Sequence, residues 1–389
     1  MTETREDTAV VIIGAGVAGL TLGTLLLRNG VDCVVLEKHP RAYVEQRQRA
    51  GTIDAFGVRM FRDWGLEEVL EGEPVPHSEG GFYIDGEAMP IEVDDDNESL
   101  YCPQQVLVRN LTDVFLREGG HLRYEAADVT LQEVTAERPV VRYRNADGTT
   151  TAVDCDLIAG CDGFHGVSRR TIPASALTQY SHEYGYSWLS ALATVPTSPS
   201  GMAIHGLGLA GMIPRGPEAS RIYLQCPVDD TPERWPDERI WSELEARFGC
   251  PVSRGEIVSK QIVPLRSVVF DPMSYGRLHL LGDAAHIVPP MSAKGIHLAL
   301  HDAEDFARAV IRKFTDGDGS LVDTYSETCL PHIWNYQAFA TWITGIMHDA
   351  GFTGYEGAFR KRIARAELQR QFTSHAANKL FGELTAGTN

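Results

Sequence analysis

The sequence predicts a mixed α/β fold: a doubly wound, parallel-sheet lobe, interrupted by a second, β-rich lobe and followed by a helical C-terminal part. Three observations predict it. Val10 to Glu37 reads as strand, glycine turn, helix and second strand. Two later strands run into turns of the same kind, at Asp162-Gly163 and at Gly282-Asp283. Between them lie alternating apolar and polar runs at strand spacing, such as Ser187 to Val195 and Arg221 to Cys226. At 389 residues the chain is long for one core and short for three, which suits two interleaved lobes.

Composition narrows the function. A hydrophobic content of 43% with 23% charged residues is ordinary for a globular chain. Thirty-five basic against fifty-three acidic side chains give a formal charge of −18. Nucleic acid and anionic membrane both demand a surplus of Lys and Arg, so neither is an expected partner. An anionic small substrate requires a local basic cluster. The seven cysteines (Cys33, Cys102, Cys155, Cys161, Cys226, Cys250 and Cys329) are odd in number, scattered and without a CxxC pair. That argues against a disulfide framework or a zinc knuckle and fits a reducing cytoplasm. His297 and His301 stand four apart, but Leu298 occupies the place where a zinc-protease motif needs Glu, so no metal is expected.

The first element, Val10-Val11-Ile12-Ile13, is a β-branched run suited to a parallel strand buried on both faces. The uncharged stretch from Ala9 to Leu27 has the length of a membrane span. It follows the net-acidic MTETRED, contains Gly14, Gly16, Gly19 and Gly23, and splits into a β-branched half and a Leu-rich half. Strand, turn and helix is therefore the better reading. In Gly14-Ala15-Gly16-Val17-Ala18-Gly19, Gly14 permits the tight turn and Gly16 lets the backbone approach a pyrophosphate. Gly19 lets the helix pack closely on the strand. The helix N-terminus supplies free N–H groups for phosphate. Asn29-Gly30 stops the helix, and Cys33 to Leu36 forms the second strand, which ends in Glu37. That acidic residue stands where a ribose hydroxyl is accepted. The pattern predicts dinucleotide binding without deciding between NAD and FAD.

Two later segments go further: CDLIAGCDGFHGVSR from Cys155 to Arg169, and RLHLLGDAAHIVPP from Arg277 to Pro290, the latter read as a strand turning into a small-residue helix start. Arg47 and Arg49 lie in EQRQRAG, and Gln104 precedes a helical stretch. This ordered set, with VPLRS, resembles the class A flavoprotein monooxygenases of the 4-hydroxybenzoate hydroxylase type, from Val10 to about Phe372. The resemblance implies a Rossmann-like FAD-binding lobe with an inserted mixed β-sheet substrate lobe and a helical C-terminus. It implies FAD contacts at Gly14, Gly16, Ala18, Gly19, Glu37, Arg47, Arg49, Ala50, Gly51, Gln104, Asp162, Gly163, Arg221, Asp283, Gly295 and Ile296. Pyridine-nucleotide contacts are implied at His165, Arg169 and Arg266. Arg215 matches the substrate-carboxylate arginine, Tyr223 lines the pocket, and Pro290 opens the flavin-contacting loop. The expected lobes are residues 1–75, 100–177 and 269–330 for FAD and residues 76–99 and 178–268 for substrate, with a hairpin at Asp85-Gly86. Residues 331–389 are mostly helical and cap the site or meet a second copy of the chain, a homodimer being left open.

The activity so implied is hydroxylation of a small aromatic by NAD(P)H and O2 through a C4a-hydroperoxyflavin, in a site closed to water during oxygen transfer. NADH and NADPH both stay open as reductant, since the Lys38-His39-Pro40-Arg41 loop is basic but Glu45 follows it. Two rivals stand beside this reading: a flavin dehydrogenase that inserts no oxygen, and an inactive flavin-binding protein. The pocket departs from the family. Its phenol-ionising tyrosines fall on Met202 and near Lys379, a carboxylate-binding serine falls on Ile213, and an asparagine beside the flavin loop becomes His297. Lys379 or His297 is then the candidate for a replaced proton relay. The expected substrate is an aromatic carboxylate other than 4-hydroxybenzoate, of the amino- or hydroxybenzoate type, with an indole or larger aromatic as the alternative.

Overall fold

The computed structural model describes residues 3–46, 51–71, 81–89, 99–348 and 354–387. Arg47, Arg49 and Ala50 lie outside the described residues. The first sheet runs Ser274–Tyr275, Leu278–Leu280, Thr150–Gly160, Glu3–Ile13, Cys33–Leu36, His121–Arg123. Its central pairs are parallel, with Val10 opposite both Leu157 and Cys33. Val10, Val11 and Ile12 are wholly buried, as a strand covered on both faces requires. The helix Val17–Arg28 buries Leu20, Leu22, Leu25 and Leu26 against the helices Gln104–Arg117 and Gly295–Asp316. Each such leucine contributes roughly 1.5–3 kcal/mol of apolar burial. Asn29 ends the helix by donating its side-chain amide to Leu25 O at 2.8 Å, and Gly30 turns the chain at φ +73.

The first strand is longer than its apolar run, starting at Glu3 rather than Val10. Thr150–Gly160 is equally long and pairs with it residue by residue, so the polar extension finds backbone partners, and Arg5 adds a 2.5 Å contact to Asp154. The Gly282 junction also differs from expectation. A single 3-10 turn covers Gly282–Ala284, and His286–Ile287 then pairs with Val268 and Val269. The helix waits until Gly295. Gly282 at φ +59 leaves the right-handed region, and Pro289-Pro290 disfavours helix in the residues before it.

The second sheet runs His286–Ile287, Glu256–Asp271, Thr178–Thr194, Ala219–Pro227, Gly208–Gly216, Gly201–His205, Gly81–Ile84, Glu87–Met89. It is antiparallel except where Gly201–His205 pairs with Gly81–Ile84. Strand parity gives its two faces different work. Leu189, Ala191, Ala210, Met212, Ile222 and Leu224 point to one side, where they form a second core with Trp241, Leu244 and Phe248 of the helix Asp237–Phe248. Met202 and Tyr223, on the other parity, pack against the core of the first sheet. The helices Tyr325–Met347, Gly354–Thr373 and His375–Ala386 follow. Among the described residues no helix is long and apolar enough to cross a membrane.

Candidate active site

At the C-terminal ends of the parallel strands the chain packs main chain on main chain. Gly14 takes φ +107, and a Cβ there would stand 2.4 Å from Cys161 O; one on Gly19 would stand 2.0 Å from Gly14 O. The helix Val17–Arg28 can therefore begin directly over the turn. Its N-cap, Gly16, is extended and offers no side-chain cap, and a Cβ on it would meet open space. The first-turn N–H groups are thus presented to whatever lies in front of Gly16, the arrangement that binds pyrophosphate. Glu37 is buried, with one oxygen accepting from Ala15 N at 3.0 Å and the other from His39 N at 2.9 Å. The carboxylate thus braces the glycine turn, and its remaining lone pairs suit a ribose hydroxyl. The next strand end supplies Asp162. Its Oδ2 accepts from Ser168 N and Oγ at 2.8 and 2.9 Å, while its buried Oδ1 has no partner among the described residues. Burial pushes the Asp162 carboxyl up, against its Ser168 bonds. These features fit an adenine dinucleotide: an uncapped helix start, an acid at the second strand end, and an orphaned oxygen beside them.

Beside Asp162, Arg169 lies between the rings of Phe164 and Phe270 at 4.5 and 4.3 Å and donates to Phe164 O at 2.5 Å. Arg266 covers the Phe164 ring at 4.0 Å, and His165 is exposed next to it, 5.1 Å from that ring. The structure thus gathers His165, Arg169 and Arg266 around one phenylalanine. Phe164 carried no role in the sequence analysis, although it stands between Gly163 and His165.

The inward face of the second sheet brings the pocket residues into register. Met202 pairs with Gly211 and Gly211 with Tyr223; Ile213 pairs with Arg221 on the next row of the same face. A Cβ on Gly211 would stand 2.6 Å from Met202 Sδ, so the thioether occupies the space this glycine leaves. Trp188 packs on Tyr223 at 4.7 Å and is held by His348, whose Nε2 accepts from Trp188 Nε1 at 2.7 Å. Arg221 is buried and reaches Ser190 Oγ at 3.4 Å. Arg215 donates through Nη1 to the Tyr101 hydroxyl at 2.5 Å, while its buried Nε has no partner among the described residues. A Cβ on Gly51 would stand 3.1 Å from Arg215 Nη1 and 3.0 Å from Pro103 Cα, so Gly51, Arg215 and the helix start at Gln104 meet. Burial works against the Arg215 charge, but Tyr223 and Tyr101 hold its affinity for the proton above the usual value.

The third wall is the start of the helix Gly295–Asp316, with Pro290 exposed, Gly295 exposed and Ile296 buried. Lys294 is 2% exposed; it donates to Asp54 Oδ2 at 2.6 Å and to Thr385 O at 2.7 Å. His297 places Nδ1 2.9 Å from the same Asp54 oxygen and Nε2 2.9 Å from His332 Nε2. Lys379 is exposed on the helix His375–Ala386 and stands apart from this cluster; Thr385 and Gly387, at the end of that helix, reach it instead. Asp54 and His332 went unnoticed in the sequence. Only Asp54 left a trace, as an acid one residue before a helix, where it caps Gly57 N at 3.1 Å. Asp283 is half-buried beside the Gly282 turn.

The FAD binding domain family model matches residues 7–340. The chain is similar to a p-hydroxybenzoate hydroxylase of Acinetobacter baylyi, at 35% identity over 395 residues covering 98% of this chain and 95% of that one. It is also similar to a 3-amino-4-hydroxybenzoate 2-monooxygenase of Streptomyces cremeus, at 31% identity over 76% of this chain and 77% of the relative. Among solved structures, p-nitrophenol 4-monooxygenase of Pseudomonas putida DLL-E4 superposes with a TM-score of 0.79 over 100% of both chains. At 17% identity, that likeness shows the fold alone.

Proposed function

We propose that this chain, which belongs to the FAD-dependent aromatic hydroxylases, uses NAD(P)H and O2 to hydroxylate a small aromatic carboxylate other than 4-hydroxybenzoate. Arg215 carries the carboxylate part of this reading. A buried guanidinium with Nε unpartnered, beside Tyr101 and Tyr223, is a half-filled site for a planar anion. A bidentate, charge-assisted pair there contributes roughly 1.5–3 kcal/mol.

Met202 and Ile213 carry the exclusion of 4-hydroxybenzoate. Neither side chain accepts or passes a proton, and a phenol oxygen buried against them loses its partner at a cost of about 1–3 kcal/mol. A ring activated by an amino group needs no such deprotonation. The Streptomyces cremeus relative, whose name specifies an aminohydroxybenzoate, supports that class of ring.

Gly14, Gly16, Gly19, Glu37, Asp162 and Asp283, with Arg49 and Gln104, would hold FAD, and Arg221, Gly295 and Ile296 would flank its ring. Bound FAD supplies hydride acceptance and oxygen activation. The chain's own residues do the rest. Arg215 and Tyr223 orient the ring, and Trp188, Met202 and Ile213 exclude water from it. Arg169, Arg266 and His165 meet the phosphates of the transient NAD(P)H.

The test is O2 uptake coupled to NAD(P)H oxidation, with labelled O2 traced into product. An aminobenzoate should give labelled hydroxylated product, whereas 4-hydroxybenzoate should give little 3,4-dihydroxy product and mostly peroxide. Efficient conversion of 4-hydroxybenzoate would overturn the pocket assignment. Hydride consumption without label in any product would favour the dehydrogenase instead.

A further inference from the structure

Arg215 is a cation whose partners among the described residues are all neutral. Its Nη1 donates to the Tyr101 hydroxyl at 2.5 Å, and its Nε is buried without a partner. Tyr223, from the neighbouring strand Ala219–Pro227, acts on the same guanidinium. Burial opposes the charge, and the groups that sustain it are these two phenols rather than a carboxylate. A buried charge without a counter-ion is costly, and an anion that only accepts hydrogen bonds removes that cost.

Tyr101 comes to this place from the other lobe. Leu100–Tyr101 pairs with Thr52–Ile53, and Cys102 N donates to Gly51 O at 2.7 Å. Backbone bonds on both sides therefore fix Tyr101 just ahead of the helix Gln104–Arg117. Gly51 leaves room for the contact. A Cβ there would stand 3.1 Å from the Tyr101 ring at Cε2 and 3.1 Å from Arg215 Nη1. Tyr101 and Tyr223 are both half-buried, so each ring keeps one side toward the space in front of Arg215.

Counting hydrogen bonds leaves one proton over. The Tyr101 oxygen accepts from Nη1, and a hydroxyl also has one hydrogen to donate. Among the described residues no acceptor takes it. Accepting from a cation polarises the hydroxyl and strengthens it as a donor. The N–H groups of a guanidinium are fixed side by side in one plane. An oxygen seated on the N–H next to Tyr101 is therefore within hydrogen-bond reach of that hydroxyl. Ile213, on the same strand as Arg215, offers no donor.

We propose that Tyr101 is a specificity-determining residue, whose hydroxyl donates to the substrate carboxylate seated on Arg215 and makes the donation that Ile213 cannot. The carboxylate is gripped from both lobes, by Arg215 and Tyr223 on the substrate sheet and by Tyr101 on the FAD side. A neutral substituent of similar size leaves these donors unmatched, and a site built to bond an acceptor rejects a ring that lacks one. This assignment rests on Arg215 as the carboxylate anchor, and the experiment separates the two.

Binding to the FAD-loaded protein is read from the change in flavin absorbance, without turnover. The probes are 4-aminobenzoate and 4-methylaniline, which carries a methyl group in place of the carboxylate. In Tyr101→Phe the Kd for 4-aminobenzoate should rise about tenfold, as for loss of a hydrogen bond to a charged group. The Kd for 4-methylaniline should change by less than about twofold. An unchanged Kd for the acid, or an equal loss for both probes, overturns the assignment. A second measurement uses unaltered protein labelled at the hydroxyl-bearing carbon of tyrosine. Saturating 4-aminobenzoate should shift two tyrosine signals that 4-methylaniline leaves in place, and only one of them should be missing from Tyr223→Phe. A single shifted signal overturns the role of Tyr101 even if Tyr101→Phe does not fold. Arg215→Ala tells the two failures apart. If that variant binds 4-aminobenzoate as tightly as the unaltered protein, or if the unaltered protein does not bind it, the carboxylate anchor itself falls and Tyr101 with it. If Arg215→Ala weakens the acid and Tyr101→Phe does not, Tyr101 alone is overturned.

Discussion

Where the strands Glu3–Ile13 and Thr150–Gly160 end, the site is made mostly of main chain: the Gly14 turn, the uncapped helix start at Gly16, and amides tied to Glu37 and Asp162. Across from it, on Gly201–His205, Gly208–Gly216 and Ala219–Pro227, the candidate site is made of side chains: Met202, Ile213, Arg215, Arg221 and Tyr223 on one face of the sheet. At Gly14 and Gly19 the first kind of surface tolerates almost no change, because a single Cβ collides with backbone. The second can exchange tyrosine for methionine without disturbing a strand, since the opposite face of the sheet anchors the fold in its own core. Cofactor binding and ring choice can therefore vary separately within one architecture.

The largest effect should come from the backbone-built side. Gly19→Ala places a Cβ 2.0 Å from Gly14 O. The helix must shift away from the turn, and FAD affinity should fall by about a hundredfold, equivalent to ~2.7 kcal/mol. Absorbance of the purified variant and titration with FAD measure this. A variant that copurifies with a full complement of flavin would show that the turn is more pliable than the packing implies.

Next in size, Arg215→Ala should raise KM for a carboxylated ring roughly tenfold, or ~1.4 kcal/mol, with FAD affinity little changed. An equal loss of FAD would mean that the two surfaces are not separable at Gly51, where Arg215 approaches the FAD side.

A smaller effect blurs the division, because coenzyme choice on the nucleotide side rests on side chains. Arg41 is engaged by Glu45 at 2.5 Å and by Asp113, so it is a poor partner for a 2′-phosphate. We expect NADH to be preferred over NADPH by about fivefold in kcat/KM, or ~1 kcal/mol. Parallel steady-state measurements decide it, and Arg41→Ala should leave the preference nearly as it was.

A last effect is on stability and concerns what holds the pocket wall in place. His348 is buried beside Trp188, donates from Nδ1 to Thr344 O at 2.8 Å, and is pushed down to about 3 by burial. Its folded form resists protonation, whereas the unfolded chain takes up a proton near pH 6.5. The stability it contributes is therefore present above that pH and is lost as pH falls from about 6.5 toward 3, at ~1 kcal/mol per pH unit. His279 and His332 are pushed down to about 3 as well and act with the same sign. Thermal midpoints should decline between pH 7 and 5, and His348→Gln should flatten the decline. An equal slope in that variant would remove His348 from the account.

The two surfaces also differ in how far they could be read from the sequence. GAGVAG after a β-branched run and before a Leu-rich helix carries its geometry in a dozen consecutive residues, so its turn and uncapped helix start were legible before any contact was known. Asp162-Gly163 and Gly282-Asp283 were legible for the same reason. The helix after Gly282 was not, because two prolines and a left-handed glycine delay it to Gly295. On the substrate side, alternation marked Arg221 and Tyr223 as residues of one strand face but could not say which face met the flavin lobe.

Local chain chemistry thus determined the parallel-sheet half: glycines with no Cβ, apolar runs of strand or helix period, and acids at strand ends. What only the tertiary structure decided are pairs separated along the chain. Tyr101 reaches Arg215, Trp188 reaches His348, and Asp54 reaches Lys294 across 240 residues. Hydrogen bonds and ion pairs depend on distance in space, and periodicity carries no information about which distant segments will meet. Lys294 and His297 are therefore ordinary helix-start residues until Asp54 and His332 are brought against them. The cost of burying their charge and polarity is offset by those partners and, for Lys294, by Thr385 O.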